Sequence, residues 1–509
     1  MLSLFQQGIE IVFTFQVLGL IFFGTLVGII FGAIPGLTAT MAVALFLPIT
    51  YSLGANSGIA LLVGLYIGGV SGGLISAILL KIPGTPASVA TTFDGGPMME
   101  KGEGAKALGV GIFYSFVGTF LSILALIFIA PTLAKIALSF GPHEYFSIAI
   151  FSLTLIITLS TGSMVKGMFS GALGFMFATV GIAPVDAITR FTFGQTELNG
   201  GFDILPVLIG LFAISEIIKV AEEVKGEQHA TIQHVQMKGF GFSIKEFFEQ
   251  GWNCIRSTLI GTGIGILPGI GSGTSNIVAY MVAKKQSKNP EKFGKGCIDG
   301  IVASEAASCS AVGGAMIPLL TLGIPGDTVT AMLLGGFMIH GIQPGPLLFM
   351  SQGSLVYGIF ISMIVSAVMM LVLELYGVRL FIKMLAVPKH ILLPIILVLC
   401  VVGAFGLGNR IFDVGTIVFF GLLGYGFVKC KIPQTPFIIG LILGPMAETN
   451  LRRGLQLSDG NFTGFLTEPI SAGFLIVAVA SVALHIYKEH SARRAKRGGP
   501  NGAAPAPQA

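Results

Sequence analysis

Residues 32–40 read Gly32-Ala33-Ile34-Pro35-Gly36-Leu37-Thr38-Ala39-Thr40, and residues 265–275 read Gly265-Ile266-Leu267-Pro268-Gly269-Ile270-Gly271-Ser272-Gly273-Thr274-Ser275. Each Pro-Gly pair interrupts an otherwise apolar segment. Proline lacks an N–H and clashes with the preceding helical turn, and glycine accepts backbone angles that other residues avoid, so a helix entering either stretch must break. A second pair of breaks follows in the same order, Lys81-Ile82-Pro83-Gly84-Thr85 and Gly323-Ile324-Pro325-Gly326-Asp327-Thr328. A third match joins Pro206-Val207-Leu208-Ile209-Gly210-Leu211 to Pro436-Phe437-Ile438-Ile439-Gly440-Leu441. Subtracting the proline numbers gives offsets of 233 (Pro268 less Pro35), 242 (Pro325 less Pro83) and 230 (Pro436 less Pro206). With 71 glycines in the chain one match is within chance; three in register imply an internal duplication.

The surroundings of these breaks set the class. Charged residues make up 10% of the 509, against about 25% in an ordinary soluble domain. Mean hydropathy is +0.88. Residues 108–130, 144–160, 346–373, 391–407 and 470–487 are apolar over about the 20 residues that a helix needs to cross hydrocarbon. A soluble helix would show a polar face every third or fourth residue instead. The run from Phe15 to Ala33 lacks a basic leader and a small-residue cleavage site, and reads as a retained span rather than a signal peptide. Net charge is only +5, which calls for no nucleic-acid partner. The five cysteines (Cys254, Cys297, Cys309, Cys400 and Cys430) form no CxxC pair and read as small apolar fillers.

The expected fold is therefore an all-α polytopic membrane protein of roughly 10–12 transmembrane helices, in two repeats carrying broken helices or re-entrant segments. Residues 1–225 form the first repeat, 226–249 a polar linker, 250–487 the second repeat, and 488–509 a basic, then Pro/Ala-rich cytoplasmic tail. Charge placement makes the repeats inverted. The loop Tyr51–Ser57 is uncharged, whereas its counterpart carries Lys284, Lys285, Lys288, Lys292 and Lys295. After the second break the asymmetry reverses: Glu100, Lys101, Glu103 and Lys106 follow in the first half, and the uncharged 341–346 in the second. Lys and Arg accumulate on the cytoplasmic side, so equivalent loops lie on opposite sides. Inverted repeats with broken helices are a transporter architecture. Arg493, Arg494, Lys496 and Arg497 place the C-terminus in the cytoplasm. Phe15–Ile49 either crosses once as a broken helix or returns as a hairpin.

A broken helix leaves amides and carbonyls unpaired, at several kcal/mol each in hydrocarbon, so each break must face protein, water or a ligand. The residues around the breaks suit an anion. Pro35, Gly36, Thr38 and Thr40 mark the first, Gly84, Thr85 and Ser88 the second, Ser272, Thr274, Ser275 and Asn276 the third, and Gly326 and Thr328 the fourth. Half-helix N-termini offer free amides and the positive end of the dipole, and the hydroxyls add neutral donors. Asp327 and the carbonyls near Gly269 suit a sodium ion. Glu305, Asp94 and Lys81 are ionisable groups within or beside apolar segments, which makes them functional candidates. The bland alternative is that Pro-Gly only kinks helices while Ser and Thr satisfy the local backbone. Four paired breaks, each followed by hydroxyls, favour the binding reading.

Enzyme readings fare worse. Gly69-Val70-Ser71-Gly72 matches the string of intramembrane serine proteases, with His340 as an imaginable base. Close helix packing through Gly64, Gly68, Gly69, Gly72 and Gly73 accounts for it more economically. HExxH and Walker A strings are absent, which leaves an ion gradient to drive uphill transport. A passive channel or exchanger is the alternative.

At these residues the chain resembles the large membrane subunit of the tripartite tricarboxylate transporter family, the TctA type, over roughly residues 15 to 487. The most specific pieces are Ile34–Met41, Ile82–Thr91, Asp94–Met98, Leu267–Gly271, Pro318–Gly326 and His340–Pro346. The resemblance implies a multi-pass carrier in the bacterial inner (cytoplasmic) membrane that uses no cofactor beyond a coupling cation, sodium or proton. It implies citrate-like tricarboxylates or related carboxylates as substrates. Its implied partners are a small four-helix membrane subunit, a periplasmic solute-binding protein and the surrounding lipids. Two positions depart from the family pattern. Ser308-Cys309 stands where a pair of asparagines is common, and Asp327 where a small residue such as Ser is usual. The resemblance therefore leaves open which carboxylate and which coupling ion this member takes.

Overall fold

The computed structural model describes residues 2–159, 163–223, 240–385 and 389–497. Most of the expected linker and the end of the expected tail fall outside these ranges. The described chain is nearly all helix, with one two-residue antiparallel ladder pairing Gly181–Ile182 with Thr189–Arg190. It belongs to an all-α polytopic membrane protein.

The first half opens with α1 (Leu2–Val12), α2 (Phe15–Ala33) and, past the first break, α3 (Ala39–Thr50). α4 (Ala55–Ser71) and α5 (Gly73–Leu79) run into the second break, after which come α6 (Thr91–Glu100) and the long α7 (Gly104–Ala137). α8 (Pro142–Leu159) and α9 (Met164–Ala178) follow. Then α10 (Ile204–Leu208) passes through a π-helical turn, Ile209–Ile214, into α11 (Ser215–Glu223). In the second half α12 (Ile244–Glu249) and α13 (Gly251–Ile266) precede the third break, and α14 (Gly271–Gln286) and α15 (Ile298–Leu322) lie between the third and the fourth. Beyond it lie α16 (Thr328–Ile339), α17 (Pro346–Ser351), α18 (Gly353–Leu385), α19 (Lys389–Gly408), α20 (Ile411–Lys429), α21 (Gln434–Leu457), α22 (Thr463–Thr467) and α23 (Pro469–Arg497).

Among the described residues eight helical stretches are long and apolar enough to cross a membrane: Phe15–Ala33, Ala55–Leu79, Gly104–Ala137, Ile204–Glu222, Ile298–Leu322, Gly353–Leu385, Ile411–Lys429 and Pro469–Tyr487. Five shorter apolar helices accompany them, including Ala39–Leu53 and Thr328–Ile339. The expected ten to twelve embedded helices thus divide into full spans and shorter pieces, because the Pro-Gly breaks cut some below spanning length. Large apolar side chains such as Phe15, Phe128, Leu422 and Ile476 stand exposed, as hydrocarbon-facing residues do.

The same helix interlock occurs twice. A methyl group on Gly28 would come within 2.5 Å of the Leu65 carbonyl oxygen, and one on Gly261 within 2.1 Å of that of Ala307. Gly32 faces the Gly69 carbonyl as Gly265 faces that of Ala311, and Gly72 faces the Ile29 carbonyl as Gly314 faces that of Thr262. These pairs keep the sequence offsets of 233 on one helix and 242 on the other. Where the glycine is replaced, the contact survives in another form: Gly68 abuts the Thr25 carbonyl, and Ser310 donates its hydroxyl to the Thr258 carbonyl at 3.1 Å. Small residues let membrane backbones touch, where dispersion replaces the hydrophobic effect as the attraction. Around this centre the halves exchange partners. α7 of the first half packs along α15 of the second, and α18 of the second along α4 of the first.

Candidate functional site

At the first break α2 stops at Ala33, Ile34 turns extended (ψ 115°), and Gly36 takes φ +92°. At the third, α13 stops at Ile266, Leu267 turns extended (ψ 120°), and Gly269 takes φ +78°. The two breaks share one backbone path, and a residue with a Cβ would be strained at either glycine. Thr38 then caps α3, its Oγ1 accepting from the Met41 N–H at 3.2 Å.

The second and fourth breaks match as well. Lys81 (φ +58°) and Gly323 (φ +72°) end their helices in the left-handed conformation. Gly84 and Gly326 pack against the first-type breaks: an added methyl would lie 2.2 Å from the Gly32 oxygen and 2.6 Å from the Gly265 oxygen, respectively. Thr85 and Asp327, again 242 residues apart, then head the next helical turns. Ser88 Oγ accepts from the Thr85 N–H at 3.4 Å, as Thr330 Oγ1 accepts from the Asp327 N–H at 2.8 Å. Asp327 Oδ1 in turn accepts from the Thr330 N–H at 2.7 Å, completing a capping box.

The four tips meet, and they meet crosswise between the halves. Thr40 and Thr328 hydroxyls share a hydrogen bond of 3.1 Å. The Asn276 amide donates to the carbonyls of Ala87 and, at 3.4 Å, Pro86. Within the second half the Gly269 N–H donates to the Gly326 carbonyl at 2.7 Å. Between the tips lies a cavity of about 510 Å³. Thr38, Thr40, Thr85, Gly269, Ser272, Thr274, Asp327 and Thr328 are among the residues lining it. The N-terminal turns of α3, α14 and α16 therefore open onto one space, each presenting amides that have no partner within its helix. The Thr85 Oγ1 is buried there without a hydrogen-bond partner.

Other residues named from the sequence stand behind the lining. Pro35, Gly36, Gly84 and Gly326 shape the turns. Ser88 spends its hydroxyl on the Thr85 carbonyl (3.0 Å), and Ser275 spends its own on those of Ser272 (2.9 Å) and Ala307 (3.2 Å). Asn276 braces the neighbouring tip, leaving its Oδ1 buried and unpartnered. Asp94 is remote from the cavity and saturated: Oδ1 accepts from the N–H groups of Gly294, Gly296 and Cys297 at 2.8–3.0 Å, and Oδ2 from the Tyr280 hydroxyl at 2.9 Å. It ties the two halves through a loop. Lys81 points away and pairs with Glu100. Glu305 is buried on α15 and accepts from Thr91 and, at 2.9 Å, Ser115.

Sequence reasoning missed several residues here. Phe212 of the π-turn and Glu216 of α11 line the cavity, as do Pro433, Gln434 and Thr435 at the start of α21. The third repeated motif flanks both segments and was the available signal; π-turns gather at functional positions but leave no clear mark in sequence. Tyr66, whose hydroxyl donates to Asp327 Oδ2 at 2.6 Å, was also missed. Among the described residues the lining holds two carboxyls, Asp327 and Glu216, and no Lys, Arg or His. Glu216 is paired with Lys219 at 2.8 Å. An anion here meets neutral donors and helix ends, and a cation meets carboxyl and carbonyl oxygens.

Ser71 and His340 do not form a pair. The Ser71 hydroxyl donates to Glu374 at 2.9 Å, while His340 packs beside Gly58 on the same helix. Thirteen residues of α4 separate the two points, about 20 Å at 1.5 Å per residue.

The description "Tripartite tricarboxylate transporter TctA family" belongs to the family whose model matches residues 18–439. An uncharacterised 52.8 kDa protein in the TAR-I ttuC' 3' region of Agrobacterium vitis is 34% identical over 475 residues, covering 93% of this chain and 94% of the relative. An uncharacterised protein in the TAR-II ttuC' 3' region of the same organism is 37% identical over 234 residues, covering 46% of this chain and 97% of its own length. No solved structure matches the chain.

Proposed function

Since this chain belongs to the tripartite tricarboxylate transporter TctA family, we propose that it is the large transmembrane subunit of a binding-protein-dependent secondary transporter for carboxylates. The reading places it in the bacterial inner membrane. A small four-helix membrane subunit accompanies it, and a periplasmic solute-binding protein delivers the ligand. The halves are inverted repeats, and the solute sits between the four helix tips while the repeats rock about it to alternate access.

One observation carries the reading: four interrupted helices, two from each half, close around one cavity of about 510 Å³. Hydroxyls of Thr38, Thr40, Thr85, Ser272, Thr274 and Thr328 with the free helix-end amides hold the carboxylate, as helix N-termini hold anions. With two carboxyls and no basic side chain in the lining, the solute's negative charge is balanced by a cation that travels with it. Sodium or a proton serves, and Asp327 is the group it meets.

The test is uptake of labelled tricarboxylates and dicarboxylates by proteoliposomes holding this subunit with its small partner, with binding protein outside. Imposed cation gradients should concentrate at least one of these solutes inside. Entry that never exceeds equilibration would instead indicate a passive channel or exchanger, and no entry at all would dismiss the transport reading.

A further inference from the structure

Besides Asp327, two glutamates of the second half are buried outside the cavity lining. Glu305 on α15 is 1% exposed and Glu374 on α18 is 0% exposed. Among the described residues no Lys, Arg or His forms an ion pair with Asp327, Glu305 or Glu374. Their side-chain partners from other helices are hydroxyls, and all of these come from the first half: Tyr66 for Asp327, Thr91 and Ser115 for Glu305, Ser71 for Glu374. The carboxyls themselves all belong to the second half. The Ser71 hydroxyl satisfies Oε2 of Glu374, and Oε1 is buried with no partner at all.

The elements packed on α18 bring little else that titrates. α2, α5 and α17 carry no ionisable side chain, and Glu10 of α1 is exposed. On α7, Lys135 is exposed, Lys106 is engaged by Glu246, and Tyr114 turns its hydroxyl to the Phe247 carbonyl. α4 contributes Tyr66. Glu305 of α15 is the charge whose field reaches Glu374. On the helices packed against α15, Arg256 of α13 is committed to Asn253 and Gln286, and Tyr280 of α14 to Asp94.

We propose that Glu374 and Glu305 together hold the proton that drives transport. The inference deepens the transport reading above and rests on it for its physiological meaning. Two ionised carboxylates that feel each other in a dry interior, with no cation beside them, are far less favourable than a pair sharing a proton. A proton on Glu374 Oε1 removes the charge from the one oxygen that the fold leaves unserved. In each cycle one proton is bound by a carboxylate on one side and released on the other; no bond besides O–H changes and no electrons transfer. Because every hydroxyl partner of Glu305 and Glu374 sits on the opposite half, relative motion of the halves changes the hydrogen bonds available to the ionised form. Proton affinity is thereby tied to conformation.

The direct test uses the subunit with its small partner in lipid, treated with dicyclohexylcarbodiimide, which reacts with protonated carboxyls in apolar surroundings, followed by peptide mass spectrometry. Glu374 or Glu305 should be labelled at neutral pH, less as pH rises, and equally with or without sodium. Absence of label on both overturns the proposal, and so does protection by sodium. In proteoliposomes, an inward proton gradient without sodium should drive accumulation by the native protein. Glu374→Gln should fall to the level of the gradient-free control while retaining solute counterflow. Proton-driven accumulation by Glu374→Gln, loss of counterflow together with accumulation, or dependence of the native protein on sodium each overturns it. Labelling in a native protein that moves no carboxylate would sink the transport reading and leave the proton site standing.

Discussion

Thr85 and Asp327 occupy equivalent places at the heads of equivalent helix tips, 242 residues apart, yet their chemistry differs. Thr85 presents an unpartnered hydroxyl, while Asp327 presents a carboxyl held by Tyr66 on one oxygen and Thr330 on the other. Glu305 and Glu374 also belong to the second half, and the first half supplies their hydroxyl donors. Duplication thus preserved the backbone of both tips and let their side chains diverge. At this pair of tips the first half keeps a neutral donor suited to an anion, and the second carries an acid suited to a cation.

The backbone side of this comparison is the easiest to break. Gly84→Ala and Gly326→Ala put a methyl 2.2–2.6 Å from a facing carbonyl oxygen. Each should cost about 3 kcal/mol, the upper range for overpacking. Thermal unfolding of the purified protein reads the loss, and wild-type stability in either variant would show that the tips are loosely packed. The chemical difference comes next. Asp327→Thr copies the first half and keeps a capping side chain, so stability should fall by less than about 1 kcal/mol. Initial uptake should nevertheless drop about tenfold or more, matching the roughly 1.5–3 kcal/mol typical of hydrogen bonds to charged groups. Unchanged uptake would make the acid a mere cap.

A smaller effect sharpens how the halves meet. Thr40→Val and Thr328→Val each remove the hydroxyl that crosses between them, worth about 1 kcal/mol and roughly a fivefold rise in KM. The double variant should cost less than the sum, because both changes delete one shared bond. Strict additivity would mean that the two threonines act apart. The smallest expected effect lies outside the membrane. Lys106, followed by the Ser243 N–H, holds the Glu246 carboxyl below its ordinary value. A depressed carboxyl stabilises above its unfolded value and loses that contribution as pH falls through the folded one. Lys106→Met should therefore lower stability by about 0.5 kcal/mol at neutral pH and by nothing in strong acid, with the pair partly solvated. A pH series of unfolding midpoints measures it.

Much of the fold was legible because its signals are local. Pro-Gly at 35–36, 83–84, 268–269 and 325–326 breaks helices wherever it falls, and uninterrupted apolar runs such as 108–130 have few alternatives to a span. The cavity was legible in outline for the same reason: Thr38, Thr40, Thr85, Ser272, Thr274 and Thr328 follow those breaks directly. Ser88, Ser275 and Asn276 carry the same pattern but turn inward to brace neighbouring carbonyls. Residue type fixes what a side chain can bond, and packing chooses what it does bond. Phe212 and Glu216 escaped notice because a π-turn re-aims side chains without a composition change.

By itself, the sequence determined a twice-repeated helical membrane chain and where its helices must stop, since those properties follow from residue chemistry within a few positions. Only the tertiary structure decided that the four stops share one cavity, that Thr40 reaches Thr328 across 288 residues, and that Tyr66 donates to Asp327. The reason is physical: a backbone break is a local steric event, whereas a binding site is a coincidence of distant segments, fixed by which small residues allow their helices to touch.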